Sequence, residues 1–517
     1  MNSMEKNNFG GFTAGGEMVF EKQGDKISVP VCEKTVVTEL SDDLILPDYR
    51  PEIRRLLRIS ASLPTPSPYV SSDMAEFSGD VIYSILYVGG DGKLATAELT
   101  AVYDAEAEFP SGMAENIIAW DEITAENIVG RVTAPRKLNI RCRLRHTVRA
   151  VGEMPTDVEL SADTGTGGIM RLTETYPSCF FAIADDDSHE IEESFPMGAE
   201  ARIIYTEAVP FISDAQVKNG EAALRGSVSM RVLYDTEGGD PISIDRKIPF
   251  ESTLPIAAEG DGWEATASGT AAGIYTDNED GTLRCKIRLS LAVTAQKNMP
   301  AVVTKDIFAI DRTCEIKHAE IPSLISRWCG VGNFTLSGSS ELSGMPEEYE
   351  VISSNATAEA GELSAENGKY VLTGKCRFSA LIRGAEEYSC REFELPFRYE
   401  FGRADGDCDD YTAVLSCPIV RVRGDGNVMT ADAEICASVR ALSRKNILAV
   451  REAVLGEPED LGAKPAYTVV YVSEGESLWD LSKRYSADPE AVAKANGLRV
   501  GSPAAQDSLE GVDFLII

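Results

Sequence analysis

The residue types that could do chemistry in this chain are few and poorly grouped. Among 517 residues there are only three histidines, His146, His189 and His318. His146 stands in a strand-like run beside Arg145, and His189 lies in the acidic stretch Asp185 to Glu190, which reads as a solvated turn. Cys314, His318 and Cys329 could begin a metal site, but a fourth ligand is missing and the spacing is not that of a zinc finger. Asp163-Thr164-Gly165-Thr166 imitates an aspartic-protease signature. That chemistry needs two carboxylates sharing a proton, and no second Asp-Thr-Gly or Asp-Ser-Gly occurs. Gly368 to Lys375 resembles a phosphate loop one residue too long, with Cys376 where a magnesium-binding Ser or Thr is required. In a chain with 83 acidic residues no carboxylate pair is diagnostic. The residues therefore point to no enzyme, no metal and no cofactor.

The composition says what kind of surface carries the function. A formal net charge of −34 argues against nucleic acid, since phosphate binding needs a clustered basic surface. It equally disfavours anionic lipid and fits a basic partner or simple solubility. Met1 to Phe20 lacks the apolar core of about 7–15 residues of a secretory signal. No stretch approaches the ~18 apolar residues of a membrane helix, so the expectation is a cytosolic chain that does not span a membrane. Eleven cysteines, with no Cys-x-x-Cys pair, agree; Cys142, Cys285, Cys376 and Cys436 fall in strand-like runs and read as buried reduced thiols. The length allows about three or four domains at ~100–200 residues each.

The body repeats itself. Gly79, Gly226 and Gly374 each open an alternating strand: Val81, Tyr83, Ile85 and Tyr87 in the first copy, Val228, Met230, Val232 and Tyr234 in the second, Cys376, Phe378, Ala380 and Ile382 in the third. Apolar residues at every second position mark a half-buried strand. Asn219-Gly220 and Asn367-Gly368 precede two of these strands as hairpin turns, with the weaker Asp73-Met74 in the first copy. Downstream strands recur around Tyr103, Phe250 and Phe397, and again at Leu138 to Leu144, Leu283 to Leu289 and Ala431 to Ala437. The expected fold is mainly β: three antiparallel β-rich, sandwich-like units at 18–160, 169–305 and 306–452, after a flexible tail 1–17. They would form a rod or a compact trimer of units. One interruption is predicted, a basic helix over 51–58 with Ile53, Leu56 and Leu57 on its apolar face. Its Arg54, Arg55 and Arg58 either pair with the chain's own carboxylates or dock a partner.

Beyond a linker at 453–465, residues 466–517 read as a small α+β module of order βααβ. Tyr467 to Val472 is β-branched and aromatic. Leu478, Leu481 and Tyr485 form a helical stripe; Asp488 and Pro489 start a second helix whose inner face is Ala491, Val492 and Ala495. Phe514 to Ile517 would pair with the first strand. The stripe places Leu478 inside and points Trp479 outward, one turn from Lys483, as an amphipathic hot spot for a partner.

This module resembles the LysM family at Tyr467, Val472, Gly475, Glu476, Ser477, Leu478, Leu481, Ser482, Tyr485, Val492, Asn496, Leu498 and Gly511. The resemblance implies binding of peptidoglycan glycan, or of protein, through Gly475, Glu476, Ser477 and Leu478 and through Asn496, Gly497 and Leu498. The second loop, Gly501 to Asp507, departs from the family pattern. Leu46-Pro47-Asp48 through Arg58, followed by the glycine-led strands, resembles the SPOCS domains of spore coat morphogenetic proteins, which end in a LysM module. What that family implies is a non-enzymatic scaffold at the forespore surface in the mother-cell cytoplasm. Its LysM module would hold a SpoIVA-like coat-assembly ATPase while the repeats bind other coat proteins. The alternative is a peptidoglycan-binding LysM protein.

Overall fold

A computed structural model describes residues 26–161, 168–198, 200–236, 239–385, 387–404, 406–458, 467–498, 509 and 511–517. The tail 1–17, Asp163 to Thr166, residues 459–466 and the loop Gly501 to Asp507 lie outside the described residues. Among the described residues the chain is mainly β, with two short helices near its end.

The first seven strands are β1 (Lys26–Ile45), β2 (Ile53–Ser62), β3 (Ser67–Val70), β4 (Met74–Gly89), β5 (Leu94–Glu108), β6 (Glu115–Ala134) and β7 (Lys137–Pro155). They make two antiparallel sheets: β1-β7-β6, and a second in which β4 pairs with β2 and β3 on one edge and β5 on the other. After β8 (Glu159–Ser161) come β9 (Ile169–Pro196), β10 (Arg202–Lys218), β11 (Glu221–Asp235), β12 (Ile242–Pro255), β13 (Glu264–Glu279) and β14 (Thr282–Ala309). Their sheets are β9-β14-β13 and β10-β11-β12. The order recurs in β15 (Arg312–Glu341), β16 (Tyr349–Glu366), β17 (Lys369–Gly384), β18 (Tyr388–Arg403), β19 (Asp410–Asp425) and β20 (Val428–Pro458), with sheets β15-β20-β19 and β16-β17-β18. In the second and third sets the two sheets enclose a common apolar core.

Local chemistry accounts for the pairing. Asn219-Gly220 and Asn367-Gly368 have φ of 54° and 81°, and of 50° and 75°, the left-handed pairs that tight hairpin turns need. The three strand-opening glycines have a packing reason. Each sits directly across from an aromatic residue of the next strand: Gly79 from Tyr103, Gly226 from Phe250, Gly374 from Phe397. The ring lies over the glycine, so a Cβ there would collide; at Gly79 it would sit 2.6 Å from the Tyr103 hydroxyl oxygen.

Leu86, Leu233 and Leu381 break the alternation, since each is apolar where the strand faces away from its own core. They meet one another's units instead, in one buried cluster with Leu94, Ile204 and Ile352. A second junction gathers Ile27, Phe77, Val148, Tyr176, Val303, Ile321 and Ala449 from all three sets. At that end three buried serines touch, one from the first strand of each set. Ser178 Oγ accepts the Ser28 N–H at 2.9 Å and lies 3.3 Å from Ser323 Oγ. The three sets therefore close around a common centre, and the rod is excluded.

Four expectations need correction. Residues 51–58 are not a basic helix: from Ile53 onward they belong to β2. Register shifts at Ile53/Arg55 and Leu56/Arg58 reset the strand's alternation, so Ile53, Leu56 and Ile59 reach the core at spacings that imitate a helix. The unit boundary at 305/306 falls inside β14. The linker at 453–465 begins too early, because β20 stays paired with β15 as far as Pro458 opposite Arg312. The run Asp185 to Glu190 is strand, not a solvated turn, and the His189 ring lies 5.6 Å from that of Phe250.

All eleven cysteines are free thiols. Burial pushes Cys179, Cys329 and Cys436 from 9.0 up to about 12, and Cys285 up to about 11. The folded chain therefore retains thiol protons that the unfolded chain releases above about pH 9. Their contribution to stability is complete below that pH and is lost as pH rises toward about 12. Urea midpoints should be flat from neutrality to about pH 9 and fall steadily above it. An unchanged midpoint at about pH 11 would contradict this.

Candidate interaction surfaces of the C-terminal module

The module runs β21 (Val469–Tyr471), α1 (Leu478–Tyr485), α2 (Pro489–Ala495) and β22 (Phe514–Ile516), with β21 and β22 antiparallel. Ser477 caps α1: its Oγ accepts the Asp480 N–H at 3.2 Å, while Asp480 Oδ2 accepts the Ser477 N–H at 3.3 Å. Asp488 caps α2 by accepting the Glu490 N–H at 2.9 Å, with Pro489 in the first turn. The core is Val470, Leu478, Leu481, Val492, Ala493, Leu509 and Leu515. Ala493, not Ala491 or Ala495, joins Val492 inside, and Tyr485 is exposed.

Several residues expected to bind a ligand serve the module itself. Asn496 donates through Nδ2 to the Val492 and Ile516 carbonyls, both at 2.8 Å, and accepts the Ile516 N–H at 2.7 Å. It ties the end of α2 to β22. Glu476 accepts the Ser473 N–H at 2.9 Å and pairs with Arg484 at 2.6 Å. Those two contacts, the Ser473 N–H first, hold its carboxyl below the usual carboxylate range. Leu478 is core and Leu498 is half-buried against it. Gly475 and Gly497 have φ of 84° and 65°, turn positions where only backbone is presented.

The largest correction concerns Trp479. It does not point outward to solvent but is 3% exposed. Its ring meets Phe308 of β14 edge-on, with centroids 4.8 Å apart, beside Met170, Leu172 and Ile310. Its Nε1–H donates to Asp306 Oδ2 at 2.8 Å, and Lys483 Nζ lies 2.6 and 2.7 Å from the same carboxylate. Trp479 and Lys483 do act as a pair, toward the chain's own body. The arginines at 54, 55 and 58 are likewise engaged internally. Arg54 and Arg55 pair with Glu387 at 3.6 and 2.7 Å, and Arg58 lies over the Tyr205 ring at 5.1 Å.

What remains open is a face that the sequence reading missed. Tyr467, Val469 and Tyr471 alternate with buried Val470, and they are 79%, 58% and 77% exposed. Val469 pairs with Ile516 and Tyr471 with Phe514, so two more exposed apolar side chains complete the outer face of the two-stranded sheet. The signal was available: a strand apolar on both faces, in a module able to cover only one.

One histidine–carboxylate pair is sealed from solvent. His146 is fully buried, with Nδ1 2.6 Å from Asp121 Oδ2 and its ring 5.2 Å from that of Tyr103. Among the described residues no group of three or more His, Cys, Asp or Glu could hold a metal, and no helix is long and apolar enough to cross a membrane. No family model, curated protein or solved structure matches the chain.

Proposed function

We propose that this chain is a non-enzymatic scaffold of spore coat assembly, built from three SPOCS-like β units and a terminal LysM-like module. In this reading the module grips a coat-assembly ATPase at the forespore surface while the body binds further coat proteins. Two modest contacts on one chain raise effective concentration and so avidity. The observation that carries the reading is the exposed aromatic and aliphatic face of β21 and β22, ready for a partner with a matching apolar patch. The recurring strand order and the closed centre supply the rigid platform that such a grip requires.

The test is a Tyr471→Ala/Phe514→Ala double variant of the full chain, assayed by retention of the purified ATPase and, separately, of purified peptidoglycan. Both side chains are outward, so folding should be unaffected. Loss of two aromatic anchors should weaken ATPase binding at least about tenfold, or ~1.4 kcal/mol. Strong retention of glycan without retention of the ATPase would replace this reading with the peptidoglycan-binding one.

A further inference from the structure

Asp306 and Phe308 lie two residues apart on β14, so their side chains leave the same face, while Ile307 between them is fully buried on the other. The strand thus shows a carboxylate beside an aromatic ring. Trp479 and Lys483, four residues apart on α1, lie on one helical face and meet that pair. Two hydrogen-bond donors, the indole N–H and the ammonium, converge on one carboxylate, and ring packs on ring. Phe308 is 4% exposed, and Trp479 is the other buried residue of its cluster, so this side chain serves the contact and not a unit's interior.

We infer that the Trp479–Lys483 face is a docking site for an extended acidic-x-aromatic segment, closed at rest by the chain's own Asp306-Ile307-Phe308 and exchangeable with such a segment of a partner. A tethered module needs only a weak contact to stay closed, because attachment to the body keeps the effective concentration of the internal segment high. A competitor with the same chemistry opens it by taking the same donors. This face is separate from the aromatic sheet face, and its behaviour is measured without reference to what that face holds.

The experiment uses the full chain, an Asp306→Asn/Phe308→Ala variant, and a labelled peptide spanning Thr304 to Ile310. Acrylamide quenching of fluorescence reports release: the chain has four tryptophans, and one of them should become newly accessible in the variant. The peptide should bind the variant saturably and the parent at least tenfold less, because the parent's site is filled. Binding should vanish when Trp479→Ala is added, and should fall at least tenfold when the peptide carries Asp306→Asn. An unchanged urea midpoint for the body checks that it remains folded. Unchanged quenching in the variant overturns the proposal, since the module is then held by something else. A released module that ignores the peptide, or binds the asparagine peptide equally well, overturns it too.

Discussion

Replacing Arg149 by alanine should destabilise the body by about 1–3 kcal/mol, the cost of leaving partly buried carboxylates short of a hydrogen-bond donor. Arg149 on β7 reaches Glu122 of β6 at 2.7 Å and Glu33 of β1 at 3.5 Å within the first set. Its Nη2 also lies 2.9 Å from Asp410 of β19, so the guanidinium joins the first set to the third. Its side chain is 12% exposed and that of Asp410 13%, which leaves little water to replace the lost partner. Arg444 still pairs with Asp410 at 3.3 Å and with Glu33, so the carboxylate left shortest of cationic partners is Glu122, with Arg440 3.6 Å away over the Trp120 ring. Urea unfolding measures the effect, and Lys26→Ala is the control. Lys26 pairs with Glu153 at 2.8 Å on the surface, where such bridges are worth about 0–1 kcal/mol. A loss below about 1 kcal/mol for Arg149→Ala would mean that this joint does not hold the sets together.

The second large effect comes from adding a single carbon. At Gly226 a Cβ would stand 2.5 Å from the Phe211 carbonyl oxygen and 2.8 Å from Phe250 Cζ. One obstacle is backbone of a neighbouring strand and cannot turn aside. Gly226→Ala should therefore cost about 1–3 kcal/mol, as overpacked cores do. At Gly90 the nearest atom is 4.0 Å away, and Gly90→Ala should be neutral or stabilise by about 0.4–1 kcal/mol through the unfolded chain. The two substitutions should move the thermal midpoint in opposite directions. Truncating the ring as well, in Gly226→Ala/Phe250→Ala, should cost less than the sum of the single changes, because the two positions share one space. Equal effects at Gly226 and Gly90 would show that crowding by Phe250 and the Phe211 carbonyl is not what demands a glycine.

Much of the fold was legible because its signals are local. Apolar residues at every second position after Gly79, Gly226 and Gly374 lie in β4, β11 and β17, and both Asn-Gly turns stand where the hairpins turn. Two β-bulges hid β2, because shifting the pairing by one residue converts a period of two into spacings that a helix also produces. The candidate surface was read less well. Ser477, Asp488 and Pro489 cap the helices as their types dictate. Asn496 and Glu476 have side chains suited to a ligand, yet their hydrogen bonds go to the module's own backbone and to Arg484.

Strand type, turn position and helix caps depend on residues within a few places of one another, so the order of amino acids settled them. Where Leu86, Leu233 and Leu381 go, and why three serines touch, depends on surfaces brought together from distant parts of the chain. Trp479 is the sharpest case. Its neighbours along α1 say only that it leaves the module's core, while Phe308 and Asp306 on β14 decide that it meets protein and not water. A side chain's neighbourhood in space is set by how whole sheets pack, and only the folded arrangement supplies that.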